Sequence, residues 1–197
     1  MIESEALGVT RRVTAVLNAL GVPYVIGGSF ASTVHGMARA TMDADIVADL
    51  RPGDVAVLLD ALGDSFYSPG EAVVRQAIER REGFNLIHLG TMFKIDIFLA
   101  GERPFDRQQL ARRIGQRVGG RSDETLWVLS AEDVILAKLD WFRQGGELSE
   151  RQWRDVLGVI KAQSPGLDAV YLRQWAGSLG VGDLLEQALV EAARDEA

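Results

Sequence analysis

Asp43 and Asp45 are the residues whose type and spacing most directly imply chemistry in this chain. In an extended segment, residues two apart project from one face, about 7 Å apart along the strand. Two carboxylates so placed repel each other and resist burial together unless a positive charge compensates them. A hard cation such as Mg²⁺ supplies that charge and prefers carboxylate oxygens as ligands. Nucleoside triphosphates arrive with Mg²⁺, and a second ion can activate an attacking hydroxyl. Standing alone, Asp-x-Asp is also what two solvated acids on an edge strand look like.

Two neighbouring features narrow that choice. Gly27-Gly28-Ser29 follows the apolar run Tyr24-Val25-Ile26 and precedes a helical pattern. Backbone N–H groups at such a strand-to-helix turn can hold phosphate. Ser29 stands where an N-cap belongs, and its hydroxyl could instead donate to a phosphoryl oxygen. The second feature is Asp96, an acid within Lys94-Ile95-Asp96-Ile97-Phe98. An acid among apolar strand residues needs a partner, and a metal shared with Asp43 and Asp45 would be one, unless Asp96 lies on an edge strand facing solvent.

The elements that must position these groups follow from periodicity. Residues 4–20 carry Leu7, Val13, Val16, Leu17 and Leu20 at helical spacing, stopped by Gly21-Val22-Pro23. A buried strand at Tyr24–Ile26 leads into a helix to about Met37. A second strand spans 44–50, with helices over 53–62 and 70–80. Strands at 84–89 and 92–99 pair around Gly90-Thr91. An Arg-rich helix follows, then a strand at 126–129. Ser130 caps a helix with Asp133 at the N3 position, and helices occupy about 131–144, 149–163, 168–178 and 181–195. The fold class expected is α/β of the α+β kind. A mixed-sheet core over 1–129 is flanked by helices, and 130–197 form a C-terminal helical bundle.

The run Gly28-Ser29, thirteen residues, then Asp43-Ala44-Asp45 resembles the signature of the polymerase-beta-like nucleotidyltransferase superfamily. In that superfamily a later strand supplies a third carboxylate, which Asp96 matches. The fuller set Gly27-Gly28-Ser29, His35-Gly36, Arg39, Thr41, Asp43 and Asp45 is most similar to small bacterial nucleotidyltransferases related to the AbiEii and MenT toxins. Glu132-Asp133-Val134-Ile135-Leu136-Ala137-Lys138 matches a Glu-Asp-x-x-x-x-Lys helix of that family, and Arg154-Asp155 a later basic-acidic pair. The resemblance spans about residues 20–160. It implies nucleotidyl transfer from a nucleoside triphosphate with two Mg²⁺ ions held by Asp43, Asp45 and Asp96, the last also helping to activate the acceptor hydroxyl. Gly27, Gly28 and Ser29 would hold the phosphates, with Arg39, Lys138 and Asp155 completing the nucleotide site. Each of the last three also has an ordinary scaffold reading. The acceptor implied is tRNA, a protein or a small molecule, and a cognate antitoxin or a homo-oligomer is the expected partner. A catalytically silent relative that binds nucleotide or a partner is the alternative.

Other classes fit less well. An Asp-x-Asp-x-Thr phosphatase loop fails because Thr41 precedes the acids and Val47 stands where the threonine belongs. A dinucleotide-binding Gly-x-Gly-x-x-Gly is absent. His35, in mid-helix, reads as a packing or phosphate-side residue, His88 has no motif around it, and the four tryptophans read as core or interface aromatics. With 47% hydrophobic residues the chain can fill a core, and without cysteine it suits a reducing cytoplasm. No run approaches a membrane span, so a soluble cytoplasmic protein is expected. The net charge of −7 disfavours bulk binding to nucleic acid. Arg103, Arg107, Arg112, Arg113, Arg117 and Arg121, opposed only by Asp106, locally reverse that sign. They form either a solvated helix face or a docking surface for a polyanion or acidic partner.

Overall fold

A computed structural model describes residues 5–35, 43–117 and 125–194. These fall into two compact units: 5–30 with 43–117 and 125–128, and 31–35 with 129–194. Strands β1 (Tyr24–Ile26), β2 (Asp43–Ala48), β3 (Phe66–Tyr67), β4 (Phe84–His88), β5 (Phe93–Leu99), β6 (Ile114–Arg117) and β7 (Thr125–Val128) build the first unit. They form one mixed sheet in the order β3-β4-β5-β2-β1-β7-β6. β2 and β5 are parallel, as are β1 and β7, and the other neighbours are antiparallel.

Alternation on β2 and β5 separates two faces. Ala44, Ile46, Ala48, Ile95 and Ile97 are buried, while Asp43, Asp45, Lys94 and Asp96 are half-buried on the other side. Helix α1 (Glu5–Ala19) packs on β2 and β5 and on α3 (Val55–Leu62), which also meets α4 (Glu71–Glu79). Val9, Val13 and Leu17 of α1 and Leu58 and Leu62 of α3 make the apolar layer. Helix α2 (Gly28–Val34) starts two residues earlier than an N-cap at Ser29 predicts, so Ser29 lies inside its first turn.

The Arg-rich segment is not one helix. It forms α5 (Pro104–Ala111) and then edge strand β6. Pro104 suits the first turn of α5, and Asp106 accepts from the Arg103 backbone N–H and guanidinium. Beyond it, Gly115 sits where a Cβ would come within 2.7 Å of Thr125, so β6 lies flat against β7. Arg113 stacks over the Trp127 ring at 4.9 Å. Arg121 lies outside the described residues.

The second unit contains α6 (Ala131–Gln144), α7 (Glu150–Gln163), α8 (Ala169–Leu179) and α9 (Gly182–Arg194). Ser130 Oγ accepts from the Asp133 N–H, as the capping pattern predicts. The Asp133 side chain is wholly buried, and its Oδ1 accepts from the Tyr171 hydroxyl at 2.7 Å. Glu132 Oε1 accepts from the Asp168 N–H just ahead of α8. Tyr171→Phe removes a hydrogen bond to a buried carboxylate and is expected to cost about 1.5–3 kcal/mol in urea unfolding.

Candidate active site

Register decides which groups meet. Parallel pairing of β2 with β5 sets Asp43 beside Lys94 and Asp45 beside Asp96. In adjacent strands about 4.8 Å apart, in-register side chains share a face. Asn85 of β4 is opposite Asp96, so it joins them from the far side. Lys94 and Asn85 were not singled out in the sequence. The signal for Lys94 was its position two residues before Asp96 on an alternating strand.

The Gly27–Gly28 turn is tied to the same strand. The Gly27 N–H donates to the Asp45 carbonyl at 2.9 Å. Gly28 has φ +56°, and a Cβ built there would overlap the Asp45 carboxylate, its Cγ only 2.7 Å away. Only glycine therefore permits both the turn and the seat of Asp45. Gly28→Ala is expected to cost about 1–2 kcal/mol from backbone strain alone. It should also displace the Asp45 carboxylate. Thermal unfolding checks the first effect, and a crystal structure of the variant checks the second.

Asp96 has a partner. Lys94 Nζ lies 2.7 Å from Asp96 Oδ2. The Lys94 ammonium is held above its ordinary range, first by that hydrogen bond and then by the charges of Asp96, Asp43 and Asp45, against some desolvation. The sequence offered a shared metal as the partner of Asp96, and the structure adds a lysine on the same strand. Among the described residues no three carboxylate or imidazole groups stand close enough to hold one ion. The pair Asp43 and Asp45 nevertheless suits a hard divalent cation, because Mg²⁺ is held by one or two carboxylates together with phosphate oxygens and water. A groove of about 560 Å³, bordered by Pro69, Val73, Gln76, Asn85 and Phe98, reaches Asp96.

The remaining sequence-derived residues divide by unit. Gly27, Gly28, Ser29, Asp43, Asp45 and Asp96 belong to the first. Lys138 and Asp155 belong to the second, where Lys138 Nζ donates to Asp155 Oδ2 at 2.8 Å. Arg154 is exposed and reaches back to the Glu150 carbonyl at 3.4 Å. Arg39, Gly36 and Thr41 lie outside the described residues. His35 is buried, its Nε2–H donating to the Leu129 carbonyl at 2.7 Å and its own carbonyl accepting from Gln163, which makes it a packing residue. His88 belongs to an edge network: Arg12 donates to its Nε2 at 2.9 Å, which leaves Nδ1–H to donate to Thr91 Oγ1.

No family model matches the chain, and no curated protein matches it in sequence. Solved structures do resemble it. An antigenic nucleotidyltransferase-like protein from Paracoccidioides brasiliensis shares 20% identity over 91% of this chain and 90% of its own, with a TM-score of 0.55. The antibiotic-resistance factor ANT(2'')-Ia in solution shares 11% over 91% of this chain and 96% of its own, with a TM-score of 0.55. The same enzyme in complex with adenylyl-2''-tobramycin shares 13% over 99% of this chain and 100% of its own, with a TM-score of 0.54. At such identities the likeness is one of fold. No described helix is long and apolar enough to cross a membrane. The chain has the nucleotidyltransferase-like fold, a mixed seven-stranded sheet with flanking and C-terminal helices.

Proposed function

We propose that the chain is a Mg²⁺-dependent nucleotidyltransferase of the polymerase-beta-like type, moving a nucleoside monophosphate from a nucleoside triphosphate to an acceptor hydroxyl. The observation that carries this reading is the β2–β5 register, which sets Asp45 beside Asp96 on the face that also bears Asp43. Gly28, packed on Asp45, supports it by coupling the phosphate-side turn to the carboxylates. Asp43 and Asp45 would hold Mg²⁺, and Asp96 would join them as third ligand once it leaves Lys94. When bound, Mg²⁺ would neutralise triphosphate charge and favour departure of pyrophosphate. Gly28 and Ser29 would bind phosphate oxygens through N–H and hydroxyl groups, while Gly27, its N–H held by the Asp45 carbonyl, would shape the phosphate-side turn. Asp96 would accept the proton of the acceptor hydroxyl as that oxygen bonds to the α-phosphorus and the bond to pyrophosphate breaks. The groove that Asp96 helps to line would seat the acceptor.

The finer assignment, to AbiEii/MenT-like enzymes acting as the toxin of a toxin–antitoxin pair, is supported by Lys138 and Asp155 standing together in one buried pair. In that reading Lys138, Asp155 and Arg39 would serve the nucleotide. A tRNA acceptor is supported by Arg107 on α5, Arg112 just after it and Arg117 on β6, the edge strand three strands from β2, or about 14 Å. ANT(2'')-Ia, bound to adenylyl-2''-tobramycin, supports a small-molecule acceptor instead. Incubation with each α-phosphate-labelled triphosphate and Mg²⁺, with tRNA, protein or a small alcohol as acceptor, tests the reading. Label on an acceptor is expected. No transfer to any of them would favour the second reading, a catalytically silent nucleotide- or partner-binding relative, which the Lys94–Asp96 pair itself favours.

A further inference from the structure

We propose that Lys94 is the resident counter-ion of the carboxylate face, holding Asp96 until a divalent cation arrives and competing with that cation for the cluster. The inference rests on the metal reading of Asp43, Asp45 and Asp96 and extends it to a residue that reading does not use.

The geometry is a quadrilateral. β2 and β5 run parallel in register, so Asp43 and Asp45 on one strand face Lys94 and Asp96 on the other. The strands are about 4.8 Å apart, and residues on one strand about 7 Å apart. Three corners are acids and the fourth is a lysine. Its stem turns along its own strand to bring Nζ within 2.7 Å of Asp96 Oδ2, although the side chain is 42% exposed and could extend into solvent. Holding a lysine that way opposes its rotamer entropy. An ordinary surface pair gains little from doing so. Beside two more carboxylates, the same posture lowers the repulsion among all three acids.

A cation that fills this role must yield to another. Mg²⁺ or Mn²⁺ at Asp43 and Asp45 would repel the ammonium across the strand gap, releasing Asp96 to ligate and to accept a proton. Ion binding and exposure of the proton acceptor are then one event. Lys94 is a positioning residue in this scheme, because it acts through Asp96. Removing its charge should strengthen divalent-ion binding and weaken the ion-free fold.

The test uses Mn²⁺ alone as probe on the full chain, with free Mn²⁺ read by electron paramagnetic resonance and unfolding followed with and without the ion. Lys94→Met is expected to bind Mn²⁺ on the order of 10-fold more tightly than wild type. It should melt lower without the ion and recover more on adding it. Lys94→Arg, which keeps the charge, should bind as weakly as wild type, and Lys94→Gln gives the uncharged answer if the Met variant does not fold. Suppose the uncharged variants bind no more tightly than wild type while Asp43→Asn abolishes binding. The counter-ion role is then wrong and the metal reading stands. Equal tightening in Lys94→Arg overturns it too, since charge would not be the cause. Absence of Mn²⁺ binding in wild type and in both uncharged variants removes the metal reading and this inference together.

Discussion

Asp43→Asn should reduce nucleotide transfer on the order of 10³-fold while leaving the thermal midpoint unchanged or slightly raised. Charge stabilisation by a metal ion contributes several kcal/mol to a transition state. A loss of about 4 kcal/mol corresponds to about three factors of ten in rate. Stability should move the other way, because Asp43 shares its face with Asp45 and Asp96 and adds to their mutual repulsion. The pair of measurements matters more than either alone. Lost activity with a lowered midpoint would describe a structural residue. Transfer that survives the substitution would show that the acids do not serve the reaction.

Lys138→Met is expected to lower stability by about 3–5 kcal/mol, because it strands the Asp155 carboxylate in the second unit. The side chains of the pair are only 11% and 7% exposed, so water cannot take over from the missing ammonium. In a chain of this size each kcal/mol is worth about 2–4 °C, so the midpoint should fall by roughly 10 °C. Lys138→Met combined with Asp155→Leu replaces both charges by apolar groups and should restore most of the loss. That double variant also separates the two roles of Lys138. If it folds and transfers nucleotide normally, the pair is scaffold. If it folds and is inactive, at least one of the two residues serves the nucleotide. A Lys138→Met protein as stable as wild type would refute the burial argument itself.

Much of this was legible residue by residue. The period-two alternation Phe93, Ile95 and Ile97 against Lys94 and Asp96 placed Asp96 on the face opposite the buried one, because successive strand side chains point to opposite sides. Ser130 followed by Asp133 marked a helix start, because a hydroxyl there satisfies an N–H that the helix leaves open. Failure came where local pattern is silent. Arg112 to Arg117 read as helix since charged residues carry no period, and β6 exists because β7 offers an edge and Gly115 fits beneath Trp127. Two-residue β3 was invisible for the same reason. It is a strand only because His88 and Ile87 stand opposite it.

Residue types and short spacings thus specify the elements, the hydrophobic face of each and the acids worth following, since these depend on neighbours within a few residues. Which acids become neighbours is a pairing between distant segments, and nothing local encodes the register of β2 on β5. The same holds for Lys94, which the sequence did not single out and whose ion pair with Asp96 only the structure shows. It holds for Gly28, whose need for glycine comes from the Asp45 carboxylate on another strand. His35 likewise joins the second unit through bonds to Leu129 and Gln163, far along the chain. Local pattern named the acidic pair, and long-range packing decided what stands beside it.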